Sequence, residues 1–282
     1  MGDTVTIRQP SFAALLIDSM DRYPSGYPQT VATTSSQWTL QDRGYVLHGM
    51  FERLSVNSCQ FFWNLPTIIS GFNDTFVLTV GATTATFTVA EGWYSPATLA
   101  TAMQASIIAA GGPWVGFTVA YTNYNIKISN AAAFSVEPPG TQSELHETAG
   151  ILPGAATGAG PYLSRATIPT MLPTRYIDIC SSYLTKFQRV KDKSTLPNGS
   201  VSNILARVYA FPSWNSTPWP LDSVTGPHVI RDDFNTPKIL KWSPDESLTN
   251  FDITLYDEYG RQLPWKAEWG CEYQIGLSAS ET

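Results

Sequence analysis

The chain has 282 residues, 43% hydrophobic and only 14% charged, with a formal net charge of −6. The apolar share is ample for a core, while the charged share falls well below the roughly 25% usual in soluble domains. The acidic balance leaves no global basic field to draw nucleic acid, although a small local basic patch stays open.

Composition also sets the fold class. Helix formers are scarce, Thr, Ser, Val and aromatic residues are common, and 20 Gly and 20 Pro punctuate the chain. That is a vocabulary of strands and turns. The sparse charge fits a surface covered by neighbouring molecules, or equally a solvated face rich in Ser and Thr.

Residues 1 to about 35 read as an N-terminal arm. Phe12, Leu15, Leu16 and Ile17 form an apolar patch on it, and the run Tyr23-Pro-Ser-Gly-Tyr-Pro28 fits neither helix nor paired strand. An apolar patch on an arm needs a surface to cover it. That surface is a neighbouring protein, or the arm folds back as a short strand or helix on its own domain. No basic segment followed by an apolar run opens the chain, so no signal peptide is expected. No stretch of 18 apolar residues predicts a membrane helix.

The body begins near Trp38. Tyr45–Leu47, Glu52–Val56 and Gln60–Trp63 read as short strands. Phe76, Leu78 and Val80 alternate, Gly81–Thr83 turns the chain, and Thr86–Val89 returns, which predicts a hairpin. A helix follows. Ser95 suits the N-cap and Pro96 the first helical position; Leu99, Met103 and Ile107 share one face, and Gly111-Gly112-Pro113 stops the helix. Phe117–Tyr121 and Asn125–Ser129 predict a second hairpin around a tight turn at 122–124.

Residues 138–173 hold Gly, Pro and Ala with little periodicity and read as a long surface excursion. Tyr176–Cys180 and Ile204–Tyr209 are predicted strands, with a polar loop at 191–200 between them. A second excursion, 211–237, is rich in Pro and Trp. Lys238–Trp242 and Phe251–Tyr256 are strands, and Asp257–Gly260 is a turn. At the end, Trp269, Cys271, Tyr273, Ile275 and Leu277 point one way against polar or small neighbours, which predicts a strand with one buried face. Eight to ten strands without a fixed repeat predict an all-β fold, a single jelly-roll β-sandwich over 36–282 with one short helix and long loops.

Motifs for chemistry are sparse. There is no nucleophile elbow, phosphate loop or His-Glu-x-x-His signature. His48, His146 and His228 each stand alone, and no two of Cys59, Cys180 and Cys271 have metal-ligand spacing. No catalytic residue, metal or cofactor is therefore expected, and the cysteines read as small buried hydrophobes. The adjacent acids Asp232-Asp233, Asp245-Glu246 and Asp257-Glu258 read as turn groups, although glycosidases also use paired carboxylates. Trp214, Trp219 and Trp242 could stack on sugars or anchor loops. The triplets beginning at Asn73, Asn198 and Asn215 read as chance glycosylation motifs.

Two segments carry a resemblance. One is the hairpin from Asn73 with Glu91-Gly-Trp-Tyr94 and the capped helix; the other is Phe251-Asp-Ile-Thr-Leu-Tyr-Asp-Glu-Tyr-Gly-Arg-Gln-Leu263 before the last strand. With Ile17-Asp-Ser-Met-Asp-Arg22 on the arm, this order resembles the penton, or minor capsid, proteins of double-jelly-roll DNA viruses such as virophages, polinton-like viruses and large nucleocytoplasmic viruses. The resemblance implies a non-enzymatic jelly roll, five copies of which close an icosahedral vertex against major capsid proteins. It further implies that a spike or fibre could mount there, and that the virion is where the protein resides. It implies no nucleic-acid contact and no membrane span. Phe12, Leu15, Leu16 and Ile17 are then the expected capsid-contact residues. A receptor- or glycan-binding jelly roll, and a glycoside-active sandwich, are the readings from other classes.

Overall fold

The computed structural model describes residues 12–19, 37–41, 51–138, 145–158, 161–187, 192–193, 201–210, 228–243, 248, 250–264 and 271–281. In chain order it begins with β1 (Phe12–Asp18), β2 (Gln37–Gln41) and β3 (Arg53–Trp63). Then come β4 (Thr75–Val80), β5 (Thr83–Thr88), helix α1 (Pro96–Ala109), β6 (Thr118–Thr122), β7 (Asn125–Asn130) and β8 (Phe134–Val136). The short α2 (Leu145–Thr148), β9 (Gly154–Ala155) and β10 (Tyr162–Leu163) follow. Next are β11 (Tyr176–Cys180), β12 (Asp192–Lys193), β13 (Val201–Ser202), β14 (Ile204–Tyr209) and β15 (His228–Asp233). The last strands are β16 (Ile239–Lys241), β17 (Asn250–Tyr256) and β18 (Tyr273–Ser280). The chain divides into two compact units. Among the described residues the first takes 12–63, 174–210 and 228–281, and the second takes 64–173.

The first unit carries the jelly-roll sandwich. One sheet runs β1-β18-β3-β15, with β16 beside the opening residues of β3; the other runs β14-β11-β17-β2. All these pairings are antiparallel. Alternation decides which residues go inside. Tyr273, Ile275 and Leu277 of β18 are buried, as are Ile177 and Ile179 of β11, Leu205 and Val208 of β14, and Ile253 and Leu255 of β17. The Phe61 and Tyr273 rings stack at 5.3 Å across the β3–β18 pair.

β3 shows how the chain keeps both ends of a long strand facing the core. Leu54 and Val56 are buried at even positions, then Cys59, Phe61 and Trp63 at odd ones. The parity changes at Asn57. Gly276 pairs with Ser58 and Leu277 with Val56, so Asn57 is the extra residue of a β-bulge. Its carbonyl accepts the Phe234 N–H at 2.8 Å, which satisfies the group the bulge frees. The two runs expected from the sequence are one strand with a phase break. Tyr45–Leu47 lies outside the described residues.

The second unit is two hairpins and a helix. The β4–β5 pair extends through β8 to β9, and β6–β7 extends to β10. Ser95 caps α1 as expected: its hydroxyl accepts the Thr98 N–H, and Thr98 Oγ1 accepts the Ser95 N–H at 2.8 Å. Leu99, Met103 and Ile107 are fully buried. The rings of Phe76, Phe87, Trp114, Phe117 and Phe134 form a chain of contacts with centroids 5.0–5.6 Å apart.

The segment 138–173, expected as a surface excursion, is partly built into this core. Leu145, Ala149, Ile151 and Met171 are buried with the aromatic chain. Asn73 is buried as well. Its amide donates to Thr67 O at 2.9 Å and Thr148 Oγ1 at 3.0 Å, and its Oδ1 accepts the Ile69 N–H at 2.7 Å. A glycan on that amide would forfeit these bonds. Gly150 is required where this segment turns. Its φ is +68°, and a Cβ would stand 2.6 Å from Thr167 O and 2.9 Å from the Ile168 carbonyl carbon.

Candidate assembly surface

Phe12–Asp18, expected on an arm that reaches a neighbour, is a strand of the protein's own first unit. β1 pairs with β18 over seven positions without a shift, from Phe12↔Ser280 to Asp18↔Gln274. The pleat then separates the four candidate contact residues. Ile17 is 1% exposed in the core and Leu15 is half-buried. Phe12 and Leu16 point to the other face, 68% and 61% exposed. Those two are the most exposed of the four.

Two side chains after the patch pin the strand. The Ser19 hydroxyl donates to the Glu272 carboxylate and accepts the Tyr273 N–H at 2.9 Å. Gln274 Nε2 donates to Asp18 Oδ2 at 2.8 Å. The Asp-Ser pair quoted from the arm is thus a clasp onto β18. Met20–Arg22 lie outside the described residues.

Among the described residues nothing pairs with the outer edge of β1. That edge has no Lys, Pro or bulge, the devices that normally blunt an open strand. On the opposite flank of the same sheet, Val229 of β15 and Ile239 of β16 are 52% and 59% exposed. There Arg231 and Asp233 supply charge, paired at 3.2 Å and both largely solvated.

Of the adjacent acids expected in turns, Asp257 and Glu258 hold one, whereas Asp232 and Asp233 instead close strand β15. Asp257 is buried, binds Arg261 Nε at 2.7 Å and accepts the Tyr259 and Arg261 N–H groups. Glu258 accepts the Thr174 hydroxyl and the Arg175 N–H. Asp252, not singled out in the sequence, accepts Ser181 Oγ, Ser182 N, Ser182 Oγ and Tyr183 N at 2.6–3.0 Å. Burial raises its pKa, but the Ser182, Tyr183 and Ser181 donors outweigh that and lower it below the ordinary value. No spacing rule could have found it, because the donors lie 69–71 residues away. Asp178 of β11 and Arg207 of β14 form a bidentate pair at 2.7 and 2.9 Å, with the guanidinium 3.9 Å over the Tyr176 ring.

Burial first, then Asp178, pushes the Cys180 thiol up to about 12; burial and Asp232 push Cys59 higher still. Both are protonated thiols with no nucleophilic poise. Cys271 is buried as expected, and Cys180 is half-buried. His146 is buried on α2, where desolvation lowers its pKa against the opposing field of Glu147. His228 opens β15 opposite Trp63, and His48 lies outside the described residues. Among the described residues no group of three His, Cys, Asp or Glu could hold a metal. Trp242 is buried against Tyr183 and Phe187, so it cannot stack on a sugar. Trp214, Trp219 and Asp245-Glu246 lie outside the described residues. No described helix is long and apolar enough to cross a membrane.

This is a jelly roll with a second unit inserted between β3 and β11, and comparison with solved structures finds a jelly-roll relative. The chain is similar to the penton protein of mavirus, a virophage, with a TM-score of 0.52 over 97% of this chain and 100% of that one. The sequences are 11% identical, so what is shared is the fold. No family model matches the chain. No curated protein matches it either.

Proposed function

We propose that the chain is a structural capsid protein, five copies of which close the vertex of an icosahedral virion beside neighbouring major capsid proteins. The observation that carries this is the end-to-end likeness to a penton protein, which leaves almost none of either chain unmatched. The surface of the first unit supports it. A closed ring needs heterologous contacts, in which one face of a subunit meets a different face of the next. The β1-β18-β3-β15 sheet carries exposed apolar residues on both flanks, Phe12 and Leu16 on one and Val229 and Ile239 on the other. On this reading β1 meets a neighbouring capsid protein, and the protein resides in the virion. A spike or fibre could be carried at such a vertex.

Electron microscopy of the purified full-length chain tests the reading. Rings of five are expected. A monomer at all concentrations, or an open dimer, would refute it.

A further inference from the structure

The five-stranded sheet of the first unit has rows that run from one flank to the other. Ala14 of β1 pairs with Ser278 of β18, Ser278 with Ser55 of β3, and Ser55 with Ile239 of β16. Four residues further along β1, Asp18 pairs with Gln274, Gln274 with Gln60, and Gln60 with Arg231 of β15. Residues of one row share a face. Ile17, Ile230 and Leu240 are buried, so Phe12, Ala14 and Leu16 lie on the same outer face as Arg231 and Ile239. At the level of β1 the strands between hold Ser278, Gly276, Ser55 and Ser58 on that face. The apolar side chains of β1 and that of Ile239 therefore stand about 14 Å apart in one copy, three strand spacings, with small or polar groups between them.

Strand direction and row order both fit a second copy of this chain. Among the described residues neither the outer edge of β1 nor that of β15 and β16 has a strand partner. Neighbours along β1-β18-β3-β15 are all antiparallel, so β1 and β15, three pairings apart, run in opposite senses. A second copy set beside the first, without being turned over, presents β15 and β16 antiparallel to β1, the more stable kind of ladder. At equal height along the strands Ala14 falls opposite Ile239, with Phe12 diagonal to it, which brings the separated apolar flanks together. Asp18 falls opposite Arg231, whose bond to Asp233 is solvated and readily exchanged. Pairing β1 with β1 about a two-fold axis at Leu15 fits less well. It would set Asp18 against Phe12, leave the β15 flank uncovered and stop at two copies.

We propose that the outer edge of β1 adds to the β15–β16 edge of a second copy of this chain, so that the sheet continues from copy to copy. The two edges are different surfaces, so the contact is heterologous, as ring closure needs. The inference rests on the self-assembling vertex reading and specifies where two copies touch.

The test uses the purified full-length chain in sedimentation velocity and thermal unfolding. Ala14 and Ile239 are both exposed, so Ala14→Lys and Ile239→Lys should leave Tm unchanged. Each puts a lysine into the proposed ladder and should weaken self-association roughly ten-fold or more. A third variant, Ala14→Cys with Ile239→Cys, is oxidised and run on a non-reducing gel. Cys59 and Cys271 are buried and Cys180 half-buried, so the native thiols give little background. A ladder of linked copies ending at five is expected from the double variant and from neither single one. Undiminished association in either lysine variant, or no linkage in the double cysteine variant, overturns the proposal. Linkage by Ala14→Cys alone would also overturn it, by showing β1 against β1. Rings of five that persist in both lysine variants would sink this contact and leave the vertex reading standing. A ladder that runs on past five copies, with no closed rings, would do the reverse.

Discussion

At the scale of single residues, two positions in the second unit connect chemistry to stability. Gly150 combines a left-handed backbone with contact against the 167–169 backbone, which cannot rotate away as a side chain could. Gly150→Ala should therefore destabilise by about 2–4 kcal/mol, the strained φ and the overpacking together. Gly81, at φ +59° with open space around it, is the control. Gly81→Ala should cost only about 1 kcal/mol, from φ alone. Urea unfolding of both variants checks the difference, and equal losses would remove the steric half of the explanation. His146 supplies the pH dependence. Its folded pKa is depressed, so the folded chain prefers the neutral ring. As pH falls below the ordinary value of 6.5, the unfolded chain takes up the proton first, and stability is lost until the folded pKa is passed. The urea midpoint should drop between pH 7 and pH 5 in the native chain and drop less in His146→Gln. Asp252 acts lower: its contribution is present above the ordinary 3.8 and is lost as pH falls through its lowered folded pKa.

At the scale of elements, legibility followed sequence distance. The two hairpins, helix α1 and strand β18 were readable because their signals are local: alternation, a two-residue turn, a capping serine before an apolar stripe. What was not readable has non-local causes. β1 is a strand because β18, more than 250 residues later, accepts it, and nothing in Phe12–Ile17 names that partner. α2, β9 and β10 span four, two and two residues, too short to show a period. This segment buries Leu145, Ala149 and Ile151 in a core it shares with the hairpins. β3 was half readable, because the bulge at Asn57 splits its alternation into two runs of opposite parity. That break yields a prediction. Deleting Asn57 would restore even pairing with β18 but turn one set, Leu54 and Val56 or Cys59, Phe61 and Trp63, out of the core. Exposing even two large side chains costs about 3–6 kcal/mol. The deletion variant is expected to lose near-ultraviolet circular dichroism and cooperative unfolding; a native-like transition would show that the bulge is dispensable.

For the whole molecule, the structure changes which experiment can test the contact residues. Read from the sequence, Phe12–Ile17 sits on an arm, and removing residues 1–20 should spare the fold. The structure rules that experiment out as a clean test. The truncation would delete β1, expose the edge of β18 and remove Ile17, whose burial stabilises by roughly 1.5–3 kcal/mol. Failure to assemble would then report a damaged sandwich as readily as a lost contact. Leu16→Lys separates the two. Leu16 faces away from the core at 61% exposure, so the substitution should change unfolding stability by no more than about 0.5 kcal/mol. It also places a lysine on a strand whose outer edge is unpaired among the described residues, the device by which proteins prevent edge pairing. If β1 meets a neighbouring capsid protein, the variant should unfold like the native chain yet enter particles several-fold less well when co-expressed with the major capsid protein. Undiminished incorporation, measured by the ratio of the two proteins in purified particles, would remove β1 from the contact and leave the opposite flank, Val229 and Ile239, as the surface to examine.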